Sequence, residues 1–147
     1  MQPLLNANTS TFLLRVSLGL VLIAHSLYLK LMVFTLGGTA QYFASIGLPE
    51  VMAYVVFTIE AIAGVAITLG YKTKMFSAIV VPVLLGATWA HINNGWLFSN
   101  AGGGWEYPVI LTIMATAQIG LGNDLFAIDN YLNKQNKPTP SASAQAA

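Results

Sequence analysis

The sequence predicts an all-α fold, an integral membrane bundle of four helices with both termini on the cytoplasmic side. Three observations predict it. Of the 147 residues, 56% are hydrophobic and only 7% charged, whereas a globular domain carries about a quarter charged, so a water-soluble surface cannot be built. The apolar residues fall into four runs, each near the roughly 20 residues a helix needs to cross a bilayer core. Finally, Lys72 and Lys74 sit together in the link between the second and third runs, and Lys134 and Lys137 in the C-terminal stretch. Short segments rich in Lys and Arg stay cytoplasmic, so these positions together require an even number of crossings.

The opening "MQPLLNANTST" lacks the basic region of a signal peptide, and the run after it is longer than a signal core and carries Arg15, His25 and Lys30, so it reads as a retained helix. The first span covers residues 11–34. Arg15, near its inner end, reads as a headgroup anchor. The following "TLGGTAQYFASIGLPE" mixes glycine, aromatics and a proline and is expected to lie folded on the membrane surface. A second span covers 51–70, and the tight "GYKTK" link leads to a third over 74–92. Pro82 frees the carbonyl of Ala78 there and predicts a local kink, which neighbouring helices in a membrane tolerate.

The seam 93–106 then leads to a fourth span over 107–122, with Pro108 in the first turn, where its missing N–H costs nothing. Small residues four apart, Gly64 with Thr68, Gly86 with Ala90, and Thr112 with Thr116 and Gly120, predict close helix approach. Residues 1–130 thus form one domain. Residues 131–147 are rich in Pro, Ser, Ala and Gln and are expected to be a disordered cytoplasmic tail.

Composition also limits function. A net charge of +1 gives no footprint for nucleic acid. The absence of cysteine excludes a disulfide framework, an iron–sulfur cluster and an intrinsic thiol relay, and no flavin motif is visible. The expected surroundings are a lipid bilayer, with a protein partner on the outer face and self-association open.

Polar residues inside the spans are the candidates for chemistry, because a charged side chain at a membrane helix centre costs about 2.5–3.5 kcal/mol on insertion scales. At 1.5 Å rise per residue, His25 and Glu60 each lie about 13 Å below the outer surface, and Lys30 about 6 Å. His91 and Glu106 lie close to that surface. All four helices therefore place polar groups in the outer half, and the seam is expected to lid a polar cavity opening outward. Beside this stand plainer readings. Lys30 and Glu60 pair to glue helices, or Lys30 snorkels; Glu106 complements the positive end of the fourth helix; and Trp89, Trp96, Trp105 and Tyr107 form an interfacial aromatic belt.

Specific stretches carry a family resemblance. "RVSLGLVLIAHSLYLKL", "IEAIAGVAITLGYKTK", and "HINNGW" with "GGGWEYP" resemble the first helix, second helix and third-to-fourth seam of the DoxX family. The ending "GNDLFAIDN" is similar to its G-x-x-S-x-D close, with Phe126 and Ala127 where Ser is more usual, and Tyr28-Leu29 before Lys30 is a second departure. The resemblance covers the chain to about Asn130. It implies a small multi-pass protein of the bacterial inner membrane, related to the membrane subunit of thiosulfate:quinone oxidoreductase and to membrane partners of secreted redox enzymes.

The leading expectation is a redox-linked membrane subunit that binds a quinone-like ring. His25 and Glu60 are its catalytic proton donor and acceptor, because an unperturbed His titrates near pH 6.5. Lys30, His91, Glu106, Trp105 and Tyr107 orient the ligand or the electron-donating partner. A haem on His25 and His91 is disfavoured by a depth difference of about 10 Å, and the scattered His and Glu side chains lack a metal-site spacing. The alternatives are a membrane anchor for a periplasmic enzyme and, with less support, a small-solute transporter, for which no inverted repeat is visible.

Overall fold

The computed structural model describes residues 6–135, all of whose regular structure is helical. Helix α1 runs Ala7–Ile23 and continues as a π-helical segment over Ala24–Val33; α2 spans Leu36–Ser45, α3 Val51–Leu69, α4 Thr73–Ala90, α5 Glu106–Leu121 and α6 Ile128–Gln135. Three helical stretches, Ala7–Val33, Val51–Leu69 and Thr73–Ala90, are long and apolar enough to cross a membrane. Helix α5, at 16 residues, is shorter.

The helix ends follow from local chemistry. Asn6 caps α1, its side chain accepting from the Thr9 N–H at 3.0 Å, which satisfies one of the orphan donors of a first turn. Gly70 closes α3 in the left-handed region at φ 77°, the usual way a helix C-terminus is stopped. Pro82 lies inside α4 on its exposed side.

Helix α1 packs on α3, α3 on α4, α4 on α5 and α5 back on α1, with the α4–α5 and α1–α3 interfaces the most extensive. Leu18, Leu22, Ala63, Ile67, Val80, Leu84, Leu111 and Ala115 form the buried core. Outside it, Leu20, Ile62, Leu85 and Ile113 are each more than half exposed. A shell this apolar suits lipid rather than water.

Gly19 and Gly64 mark where α1 and α3 touch. A Cβ on Gly19 would collide with Thr68 and the Gly64 carbonyl, and one on Gly64 would come within 2.9 Å of Ile23. The close approach predicted at Gly64 and Thr68 thus has its partner at Gly19. Gly86 and Gly120 face open space instead, so those two small residues do not mediate packing.

Two further expectations change, and the 35–50 connection gains an element. The 35–50 connection contains helix α2, whose N-cap Thr35 accepts from the Gly38 N–H, and α2 packs on α3 and on the π-helical segment. The stretch read as a tail from residue 131 is helical to Gln135; the rest of it lies outside the described residues. Arg15 is not a headgroup anchor. It is 1% exposed, its Nε donates to Asp124 Oδ2 at 2.6 Å and its Nη2 to Oδ1 at 3.3 Å, and its Nη1 donates to the carbonyls of Ile67 and Thr68. The reason is geometric: Ile67 and Thr68 lie in the last turn of α3, where carbonyls lose their regular partner four residues on, Ile67 keeping only the Gly70 N–H at 3.0 Å, and the guanidinium fork serves both carbonyls and a carboxylate at once.

Around Asp124 the chain is pinned further. Asn130 Nδ2 donates to the Asp124 carbonyl at 2.6 Å, and Asp129 Oδ2 accepts from the Lys72 N–H and from Asn123 Nδ2, both at 2.8 Å. This cluster joins the start of α1, the end of α3, the start of α4 and the segment after α5 at one end of the helical body, called here the Arg15 end.

Two stability outcomes follow, both read by thermal unfolding in detergent. Gly19→Ala is expected to destabilise by about 1–3 kcal/mol through overpacking, whereas Gly86→Ala, with no neighbour to strike, is neutral or stabilises by up to about 1 kcal/mol. Asp124→Ala leaves a buried guanidinium uncompensated and is expected to cost about 3–5 kcal/mol.

Candidate functional site

The opposite end of the body, the seam end, collects the polar residues of the spans. Its construction begins with the π-helical segment Ala24–Val33, which closes with the Phe34 N–H donating to the Leu29 carbonyl, five residues back, at 2.8 Å. π-helical winding is uncommon and is found frequently at functional sites. In an α-helix, at 100° per residue, His25 and Lys30 would point about 140° apart. With i→i+5 bonding each turn holds more residues, so residues five apart lie much closer to one face than in an α-helix, and both side chains reach the interior from one side of the helix. Tyr28, between them, is exposed.

Lys30 Nζ forms an ion pair with Glu60 Oε2 of α3, the two side chains being 17% and 6% exposed. Lys30 therefore turns inward to a partner and does not snorkel. His25 stacks on Tyr107 of α5, ring centroids 5.3 Å apart at 25°. Its Nδ1 lies 3.0 Å from the Val21 carbonyl oxygen; a carbonyl only accepts, so Nδ1 carries the proton and Nε2 is the nitrogen able to exchange one. Among the described residues no hydrogen bond joins His25 to Glu60, so the two groups expected to face each other have separate partners.

The seam folds over this cluster. Trp105 N–H donates to the Gly95 carbonyl at 3.1 Å and Glu106 N–H to the Trp96 carbonyl at 3.0 Å. Asn94 Nδ2 donates to the carbonyls of Gly102 and Gly103 at 3.0 and 2.9 Å. Gly104 sits against the backbone of Trp96 and Leu97 so closely that any Cβ would collide. Glu106, in the first turn of α5, accepts the Phe98 N–H at 3.1 Å. Phe98 in turn lies 5.6 Å from the Tyr107 ring, and Trp96 meets Trp105 edge-to-face at 4.4 Å. His91, at the end of α4, has Nδ1 2.8 Å from the Ala87 carbonyl and lies beside Gly103.

Lys30 with Glu60, and His25 with Tyr107, are thus brought together directly, while Trp105, Glu106 and His91 build the cover. No group of three His, Asp or Glu side chains converges as metal ligands among the described residues. Phe98 and Asn94, absent from the predicted set, tie the seam to Tyr107 and to itself. The adjoining turn glycines of "HINNGW" and "AGGGW" were the available signal for such a folded loop. Among the described residues one open groove lies along α3 and another at the Arg15 end.

The sequence pattern of the DoxX family matches residues 10–92, a stretch holding His25, Lys30, Glu60 and His91. The chain is 34% identical over 127 residues to a protein of Bacillus subtilis (strain 168) named "Putative oxidoreductase CatD", the match covering 86% of this chain and 90% of that protein. No solved structure gives a significant match.

Lys30→Ala removes the partner of a buried carboxylate and is expected to destabilise the protein by about 3–5 kcal/mol, whereas the double change Lys30→Met with Glu60→Leu should recover much of that loss. Thermal unfolding of the three variants in one detergent checks both outcomes.

Proposed function

The chain belongs to the DoxX family, and from that premise we propose that it is a redox-linked subunit of the bacterial plasma membrane whose seam-end cluster binds a quinone-like ring. The observation that carries this reading is the pairing of a titratable ring with a buried ion pair on one π-wound strip: His25 on Tyr107, and Lys30 on Glu60. A quinone taking up two electrons also takes up two protons. Here Nε2 of His25 takes a proton from water and gives it to one ring oxygen, Lys30 orients the second oxygen by its charge, and Glu60 fixes Lys30 and relays the second proton from water to that oxygen. The aromatic face of Tyr107 and the seam residues Trp105, Glu106 and His91 shape the entrance. The electrons come from a partner enzyme, and the oxidoreductase name of the Bacillus subtilis relative supports that class of activity.

The same proposal takes α5 as a fourth crossing. Its exposed residues Ile110, Ile113 and Leu121 are apolar, and its 16 residues span about 24 Å, short of a 30 Å core by an amount that bilayer thinning accommodates at modest cost. Both termini and the Arg15 end then face the cytoplasm, since Lys72, Lys74 and Lys134 lie there, and the seam faces outward.

A second reading, an anchor for an external enzyme, has its own observation: Ile92, Trp96, Leu97 and Phe98 are all exposed on the seam, an apolar patch suited to a protein partner.

Purification in mild detergent without added ligand, followed by mass spectrometry and an absorbance scan, separates the two. A quinone that co-purifies with the native chain and falls roughly tenfold in Glu60→Gln and His25→Ala, equivalent to about 1.4 kcal/mol of binding, is the expected result. A quinone-free protein that captures a soluble enzyme equally in all three forms, and loses it on Phe98→Asp, would replace the redox site with the anchor.

A further inference from the structure

The Arg15 end holds a second polar group that the proposed function does not use. Thr73 Oγ1, Ser77 Oγ and Gln118 Oε1 are buried and make no hydrogen bond among the described residues, and their residues are 1%, 0% and 0% exposed. Seven other helical hydroxyls are satisfied locally: Thr11, Ser26, Thr58, Thr68, Thr88, Thr112 and Thr116 each donate to the carbonyl four residues back at 2.7–2.9 Å. Ser77 has that carbonyl available at Thr73 and does not use it.

Ser77 and Gln118 lie at one level, and Thr73 lies one turn nearer the groove. Thr73 and Ser77 are four apart on α4, hence on one face. Gly122 packs against the Lys74 side chain, which sets the end of α5 beside the first turn of α4. Gln118 is one turn deeper than Gly122, as Ser77 is one turn deeper than Thr73. The Gln118 side chain is fixed by its own Nε2, which donates to the Gly122 carbonyl at 2.6 Å, so its oxygen is directed and cannot swing out to solvent. An open groove of about 280 Å³, lined by Lys72, Thr73, Lys74, Met75, Asn123 and Asp129, adjoins the site through Thr73. Above it the apolar core begins at Val80 and Ala115.

We infer that Thr73, Ser77 and Gln118 form a binding site for ordered water between α4 and α5, filled from the groove at Lys72–Asp129. Buried polar groups without protein partners are where structural water is held, each molecule making about three hydrogen bonds. Two hydroxyls that donate or accept and one amide oxygen that accepts match that requirement. A cation is the poorer guest, because all three oxygens are neutral and Lys72 and Lys74 stand at the entrance.

Thermal unfolding of Ser77→Ala and Thr73→Val in detergent tests the site. If water bridges these atoms, each substitution takes a partner from it, and the midpoint falls by roughly 2–8 °C. If the oxygens are dry, removing an unpaired buried hydroxyl relieves a penalty, so an unchanged or raised midpoint for both variants overturns the inference. A crystal structure at a resolution that shows ordered water decides independently of folding: density bridging Ser77 Oγ to Gln118 Oε1 is expected, and a dry gap there overturns it. Stabilisation of the native chain by sodium chloride over choline chloride, lost in Ser77→Ala, would replace water with a cation.

Discussion

A guanidinium taken out of water must be paired, and in this chain that requirement fixes the frame. Arg15 Nε and both terminal nitrogens take part in hydrogen bonds, two of them to Asp124 and the remainder to the Ile67 and Thr68 carbonyls in the last turn of α3. Isolated burial of such a charge would cost several kcal/mol even after relaxation. The arrangement is therefore available only when the start of α1, the last turn of α3 and the segment after α5 are all in place. A Lys at position 15 would offer a point charge rather than a fork and could not satisfy the same set of acceptors. The constraint is specific to one register, which is worth more in a membrane than in water, because lipid gives apolar helices little preference for one another over its own chains.

From that end the register propagates. With Arg15 held at Ile67 and Thr68, Gly19 comes opposite Gly64 one turn further on, and the absence of two side chains lets the backbones close. Close contact continues through Ile23. Straight α-winding beyond it would carry His25 and Lys30 to different faces. The change to π-winding after Ile23 re-aims them, so that Lys30 meets Glu60 on α3 while His25 meets Tyr107 on α5. The seam-end cluster thus depends on a backbone change within one helix and on an ion pair at the far end of it.

How much of this was legible in the sequence divides along physical lines. Helix placement was legible because apolar runs near bilayer length have few alternatives: the predicted spans 11–34, 51–70, 74–92 and 107–122 each coincide with a helix to within a few residues. The polar residues of the seam end were legible for a similar reason, since charges within such runs are rare. The Lys30–Glu60 pair stood among the plainer readings and is present, but the partner of His25 was not legible. Pairing His25 with Glu60 by depth assumed α-helical geometry throughout, and nothing in "AHSLYLKLMV" announces i→i+5 bonding. Arg15 looked like an anchor because its partner Asp124 lies 109 residues away, in a segment whose family-like ending gave no hint of what its carboxylate would hold. The unpartnered oxygens of Thr73, Ser77 and Gln118 were equally hidden, because small polar residues in a helix normally bond to their own backbone.

The distribution of polarity along the helical body bears on mechanism. Polar side chains collect at two levels, the seam end and the Arg15 end, and between them lies a layer made of Leu18, Leu22, Ala63, Ile67, Val80, Leu84, Leu111 and Ala115. Carrying an ion or polar solute through that layer would require a path lined by hydrogen-bonding groups, and these eight side chains offer none. A site that exchanges protons and a ring-shaped ligand at one end needs no such path. It needs a dry floor, so that the Lys30–Glu60 attraction is weakly screened, and a cover that can part. In the proposed site the apolar layer would be the floor. The glycine-bearing seam, tied to the cluster through Phe98 and Glu106, would be the cover.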